Sequence, residues 1–302
     1  GKRKGKLLPA ANLPFLPREE VTFAEVFKKN GYSTCFIGKW HLGYQPFYPQ
    51  YQGFDINIGG HEAGEPGSYF YPYKHQNSDY FNVPGLEDGK EGEYLTDRLT
   101  DEALKFIDSN VNKPFLLFLS HYAVHTPLQS KEELTKKYKQ KAKKIDKQNR
   151  EEFVKEHNAF TKQIQDNPKY AGVVQSVDES VGRILDKLHQ LGIENNTAII
   201  FMSDNGGLST LLWRWSATSN LPLRAGKGWL YEGGIREPMI VKLPGKVMPG
   251  SVCDVPVIST DFYPTMLEMA GFPLLSSQHK DGVSLIPLLY QQGSIPRQAV
   301  YW

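Results

Sequence analysis

Short apolar strands alternating with amphipathic helices predict an α/β fold: a mostly parallel central sheet with helices on both faces. Two segments carry the prediction. Phe115-Leu116-Leu117-Phe118-Leu119 is a continuous apolar run, the pattern of a strand covered on both sides. Residues 170–191 hold Val173, Val174, Val177, Val181, Ile184, Leu185, Leu188 and Leu191 at helical spacing, and Gly192 is a natural stop.

The other elements can be read in chain order. Thr22 and Glu25 fit a capping box, so a helix starts at Phe23 and ends at Gly31. Residues 32–37 are apolar and β-branched and predict a strand. Residues 44–93 are rich in Gly, Pro, Tyr and Asn and predict a long irregular excursion, of a length that is usually functional. A helix is expected over 96–109, with Leu99, Ala103, Leu104 and Ile107 inward. The Lys-rich stretch 131–155 reads as a solvated helix or an insertion, not as a polyanion site. Residues 197–202 predict a second buried strand, 238–243 a further one, and 261–270 a helix with Pro264 in its first turn. No internal repeat and no domain-separating linker is evident, so residues 1–302 are expected to form one domain.

Composition narrows the function. Charged residues make up 23% and the formal net charge is +2, which gives no reason to expect a nucleic-acid partner. No apolar run reaches membrane-spanning length. The lead, Gly1-Lys2-Arg3-Lys4-Gly5-Lys6, is basic, but Pro9, Pro14 and Pro17 interrupt the residues after it, so no signal peptide is expected. Two cysteines, Cys35 and Cys253, cannot make a disulfide framework.

Chemistry-bearing residues gather just past the expected strand ends, where open α/β sheets bind ligands. Lys39 and His41 lie between two glycines in Gly38-Lys39-Trp40-His41-Leu42-Gly43, and alternation along an extended segment would point both the same way. Lys is a point charge for sulfate or phosphate oxygens, and His can move protons near neutral pH. His121 and His125 come after the second strand. His125 is a candidate general acid, or equally a loop histidine bonded to a carbonyl; His121 fits only the second description. Asp204 and Asn205 are hard oxygen donors suited to Ca²⁺ or Mg²⁺, although Asp-Asn-Gly is also a good turn sequence. Lys227, between Gly226 and Gly228, is a candidate anion ligand or a surface lysine. Trp40, Trp229 and Tyr231 suit the walls of a pocket, and Arg236 suits a structural ion pair. Tyr69, Tyr71, Tyr73, Trp213 and Trp215 would stack on a sugar or pack the interior equally well.

Taken in order, these segments resemble the sulfatase family of the alkaline-phosphatase-like superfamily. Gly38 to Gly43 is similar to the signature G-K-W-H-L-G. Ala123-Val124-His125-Thr126-Pro127, Ser203-Asp204-Asn205-Gly206-Gly207, Gly226-Lys227-Gly228 with Tyr231-Glu232-Gly233-Gly234, and Ser259-Thr260-Asp261-Phe262-Tyr263-Pro264-Thr265 resemble four later family segments. The resemblance implies a hydrolase of sulfate esters, on a small molecule or a glycan, working outside the cell, in the periplasm or in a lysosome. It implies that Asp204 and Asn205 bind a divalent cation, Ca²⁺ ahead of Mg²⁺. Lys39 and Lys227 would hold sulfate oxygens. His125 would contact sulfate and assist the leaving group, and His41 would contact the hydrated aldehyde of a formylglycine nucleophile. That nucleophile is made from Cys or Ser in a C/S-x-P-x-R segment, which this sequence does not contain, and the family's Asp-Asp metal pair is also absent. Cys35 and Cys253 lie in other contexts, and Ser294-Ile295-Pro296-Arg297 is one residue short of the pattern. The expectation is therefore a catalytic domain incomplete at both ends, inactive as it stands. Two alternatives remain: a phosphodiesterase or phosphonate-ester hydrolase of the same superfamily, and a non-catalytic binder of sulfated glycans.

Overall fold

The computed structural model describes residues 12–147 and 150–301; the basic lead at residues 1–6 lies outside them. Strand β1 (Ser33–Gly38) is central to a parallel sheet, flanked by β2 (Ile56–Ile58) and β3 (Phe115–Ser120). Its residues alternate between two cores. Cys35 and Ile37 face a cluster with Leu95, Leu99, Ala103 and Phe106 of helix α2 (Leu95–Ser109). Phe36 faces the other side, with Ala24 of α1 (Phe23–Lys29), Trp40 and Phe54. This period of two, covered by a helix on each face, makes β1 the most buried strand. The capping box of α1 forms as expected, Thr22 Oγ1 accepting from Glu25 N and Thr22 N donating to Glu25 Oε2.

Helix α3 (Glu132–Ala142) packs on the long helix α4 (Pro168–Gln190), which also packs on α2. The Lys-rich stretch is thus a solvated helix in its first half, then part of a small antiparallel sheet. That sheet joins β4 (Phe153–Glu156), β5 (Ala159–Lys162) and β7 (Thr210–Leu211). Strand β6 (Ile199–Met202) pairs with β8 (Met239–Lys242), and the pair is antiparallel rather than parallel. The chain between them carries only the two-residue β7 and the short helix α5 (Glu232–Ile235), not the helical crossover a parallel return needs. In consequence residues 203–238 begin and end at the same sheet edge. Two short helices, α6 (Phe262–Met269) and α7 (Ile286–Leu289), complete the described chain, α6 against α1.

One expectation needs correction. Strands β3 and β6 are not covered on both faces: Phe118 is 41% exposed and Phe201 37%, because nothing among the described residues pairs with the outer edge of β3 or of β6. The excursion 44–93 is largely irregular as expected, and it contributes to the core, with Tyr69, Tyr73 and Leu86 fully buried against α2 and β1. Tyr69 and Tyr73 are therefore packing residues, whereas Trp213 and Trp215 remain on the surface. Both cysteines are free, and burial pushes the Cys35 thiol up to about 12, which leaves it inert.

Two side chains tie helices and loops together. His121 Nε2 lies 2.9 Å from Ser180 Oγ of α4, and its Nδ1 is buried without a partner. Asn220 Nδ2 shares its two hydrogens among the carbonyls of Gly207, Ala225 and Gly233 at 2.9, 2.9 and 3.1 Å and Ser209 Oγ at 3.1 Å.

Burial lowers the His121 imidazole from 6.5 to about 4. The unfolded chain therefore takes up the proton first as pH falls. The stability held by neutral His121 is complete above about pH 6.5 and is lost progressively toward pH 4, by an amount on the order of 3 kcal/mol. His121→Gln should flatten the dependence of melting temperature on pH between 4 and 7. Asn220→Ala should cost about 1–3 kcal/mol by leaving loop carbonyls unpaired, measurable by denaturant unfolding.

Candidate active site

The site is built from loops leaving neighbouring strand ends. Strand β1 stops at Gly38, where φ is +102° and a Cβ would lie 2.0 Å from Ser120 O. Only glycine allows that approach, and it lets Lys39 N donate to Ser120 O at 2.7 Å. The chain then turns. His41 adopts φ +55° and its N donates to His61 O at 3.0 Å. Strand alternation therefore does not align Lys39 with His41; a left-handed turn does, and it brings both into one electrostatic cluster.

His125 lies in the loop after β3. Its N donates to Tyr122 O at 3.0 Å, and the buried Tyr69 hydroxyl donates to His125 O at 3.0 Å. Ring atom Nδ1 is 3.1 Å from Thr126 O and 3.3 Å from Glu65 Oε2. Glu65 also accepts from Thr126 Oγ1 at 2.9 Å. The carbonyl contact foreseen for a plain loop histidine is present, and it coexists with a carboxylate that orients the ring.

Asp204 and Asn205 come directly after β6. Asp204 Oδ2 is 3.9 Å from Lys39 Nζ; the ammonium is mostly buried and the carboxylate is 73% exposed. At Gly206 a Cβ would fall 1.8 Å from Gly233 O, so the two glycine loops meet backbone to backbone. Gly206 N donates to Gly234 O at 3.2 Å, and Lys227 N donates to Gly207 O at 3.2 Å. The loop of Lys227 is thereby fixed against the loop of Asp204.

The electrostatics show a single cluster. Burial lowers the pKa of Lys39; Lys227 lowers it further, and Asp204 and Glu65 oppose the shift. Burial also lowers His41, helped by Lys39, His125 and Lys227. His125 is lowered by burial and by both lysines, against the pull of its Thr126 hydrogen bond and of Glu65. Four nitrogen groups from three loops thus crowd positive charge together, and an anion among them would relieve the repulsion.

Three neighbours had no signal in the sequence. Glu65 lies in the irregular excursion, and Asn220 lies in a Ser-rich stretch. Glu237 is next to Arg236, and burial together with Asp204 pushes its carboxyl up to about 7; its Oε1 is buried with no partner. Trp40, expected as a pocket wall, is a core residue packed on Phe36 and Phe54, its Nε1 donating to Phe47 O at 2.9 Å, and Arg236 makes an exposed contact with Glu232 at 3.5 Å. Asp204 and Asn205 have the right chemistry for a hard cation. Their number is short, because Ca²⁺ takes about six to eight oxygens, and no group of three or more metal-ligating side chains occurs among the described residues.

The sulfatase family profile covers residues 5–272. The chain is 31% identical to the uncharacterized sulfatase YdeN of Escherichia coli, over 95% of this chain and 50% of that protein. It is 30% identical to the N-acetylgalactosamine-6-sulfatase of Mus musculus, over 95% of this chain and 52% of that protein. The crystal structure of Ps i-CgsB in complex with k-i-k-neocarrahexaose superposes with a TM-score of 0.72 at 33% identity, over 94% of this chain and 60% of that one. The chain spans about half the length of the curated relatives it matches. With its α/β fold of parallel strands and flanking helices, it belongs to the sulfatase family.

Proposed function

We propose that residues 1–302 form a catalytic domain of an exported or lysosomal enzyme that hydrolyses sulfate esters of glycans. The observation that carries this reading is the convergence of Lys39, His41, His125 and Lys227 on one another beside Asp204. The matched relatives point the same way, one being an N-acetylgalactosamine-6-sulfatase and one a structure bound to neocarrahexaose.

Lys39 and Lys227 hold the sulfate oxygens and offset charge that develops on them. His125 is kept neutral near pH 7 by burial and by the two lysines. A bound sulfate ester raises its proton affinity and suits it to protonate the leaving oxygen. Glu65 and Thr126 engage Nδ1, so the substrate is met by Nε2. By family resemblance His41 would contact the hydrated aldehyde of a formylglycine. Asp204 and Asn205 would hold a divalent cation, Ca²⁺ by family preference, which would supply Lewis acidity when bound. A formylglycine would supply the nucleophilic oxygen, and no C/S-x-P-x-R segment for it occurs in these residues.

Residues 1–302 are therefore expected to bind inorganic sulfate without turning over an aryl sulfate in the presence of Ca²⁺. Calorimetry should show Lys39→Ala and Lys227→Ala each weakening sulfate binding tenfold or more. Unchanged affinity in both variants would remove the reading, and aryl sulfate turnover would overturn the view that the nucleophile lies elsewhere. Preference for a phenyl phosphate ester over the sulfate in a longer active form would favour the phosphoester alternative. Glu65→Gln should lower the titration midpoint of His125, read from its imidazole resonances by NMR, because Glu65 is one of the groups holding that midpoint up.

A further inference from the structure

We infer that His157, Trp229 and Tyr231 form a flat stacking subsite for a sugar ring beside the sulfate position, an inference that rests on the glycan sulfatase reading above. The three rings are nearly parallel, with interplanar angles of 12°, 4° and 15°. Their centroids lie 6.1, 6.5 and 6.3 Å apart pairwise. Three rings piled in a column would place the outer two at twice the inner spacing. Near-equal separations describe a triangle of near-parallel rings instead of a column. His157 Nε2 and the Tyr231 hydroxyl meet at 3.1 Å, an edge contact that holds two of the rings.

The platform is assembled from two separate elements. His157 occupies the tip of the β4–β5 hairpin, where it takes φ +52° in a two-residue turn. Trp229 and Tyr231 lie on the loop of Lys227, and Trp229 N closes that loop on Gly226 O at 3.0 Å. Arg224 locks the two together. Its guanidinium bonds Glu156 through Nε and one Nη at 2.9 and 2.7 Å, and its Cζ sits 3.8 Å from the Tyr231 ring centroid. Three kinds of contact therefore order the rings before any ligand arrives, which lowers the entropic cost of binding.

Position and exposure identify the ligand. The His157 side chain is 61% exposed, and Trp229 and Tyr231 are only partly covered. A partly open aromatic group, with Arg224 over one face of Tyr231 and Glu156 holding that guanidinium, does not enclose an apolar ligand such as a sterol. It does suit a pyranose, whose C–H face rests on the negative face of aromatic rings while its hydroxyls reach a polar rim. Trp229 is two residues from Lys227, so the backbone span is at most about 7 Å. A sugar carrying the ester, or its immediate neighbour, would reach the rings.

Calorimetry on the full chain of residues 1–302 tests this, with inorganic sulfate, a sulfated galactan tetrasaccharide and its desulfated counterpart as probes. Trp229→Ala should weaken tetrasaccharide binding tenfold or more while changing sulfate binding less than twofold. His157→Ala should weaken it several-fold, and Trp229→Phe should restore most of the affinity, which a folding defect would not allow. Tetrasaccharide binding that both alanine variants leave unchanged would overturn the subsite. Equal loss for sulfate and sugar would overturn it as well, by showing that Trp229 only positions Lys227. Wild type that binds sulfate but no tetrasaccharide refutes the subsite and leaves the sulfate reading standing. Wild type that binds tetrasaccharide through Trp229 but no sulfate supports the subsite and ends the sulfate reading.

Discussion

Backbone-to-backbone contact between glycine-rich loops is the constraint on which the site depends. The segment after β6 and the segments around Gly226 and Gly233 approach so closely that a side chain at Gly206 would occupy the place of a carbonyl oxygen. Asn220 bridges three of the same carbonyls with one amide nitrogen. Through these contacts Lys227 is set by Gly207 rather than by packing of its own side chain. Loops that hold one another this way need few apolar contacts, which is why a cluster of charged groups can stand at a sheet edge without a large core beneath it.

The antiparallel return of β8 serves the same end. A crossover to the far edge would have carried residues 203–238 away from Lys39. By pairing back on β6, the chain keeps its acidic loop, its lysine loop and its aromatic platform at one rim. Burial and the crowding of cations there lower the proton affinity of Lys39, His41 and His125 together. Like charge held together in this manner is the physical ground for the anion-binding role proposed for these residues.

Glu237 adds a second imbalance of the opposite sign. Its buried carboxyl oxygen has no partner, and its proton is held by burial and by the nearby charge of Asp204.

Much of this was legible in the residue order. The helices at 23–29, 95–109 and 168–190 arise from caps and apolar spacing, which are local properties. The candidates Lys39, His41, His125, Asp204, Asn205 and Lys227 stood out because short polar clusters ended apolar runs, and their resemblance to sulfatase segments supplied the roles assigned to them. Tertiary structure alone decided the rest. The turn at His41 depends on His61, the orientation of His125 on Glu65, and the placement of Gly207 on Asn220, each partner being distant in sequence from the group it holds. The burial of Tyr69 and the grouping of His157 with Trp229 and Tyr231 depend likewise on distant chain segments meeting. Propensity and periodicity act over a few residues, whereas these contacts exist only once the sheet has fixed where each loop begins.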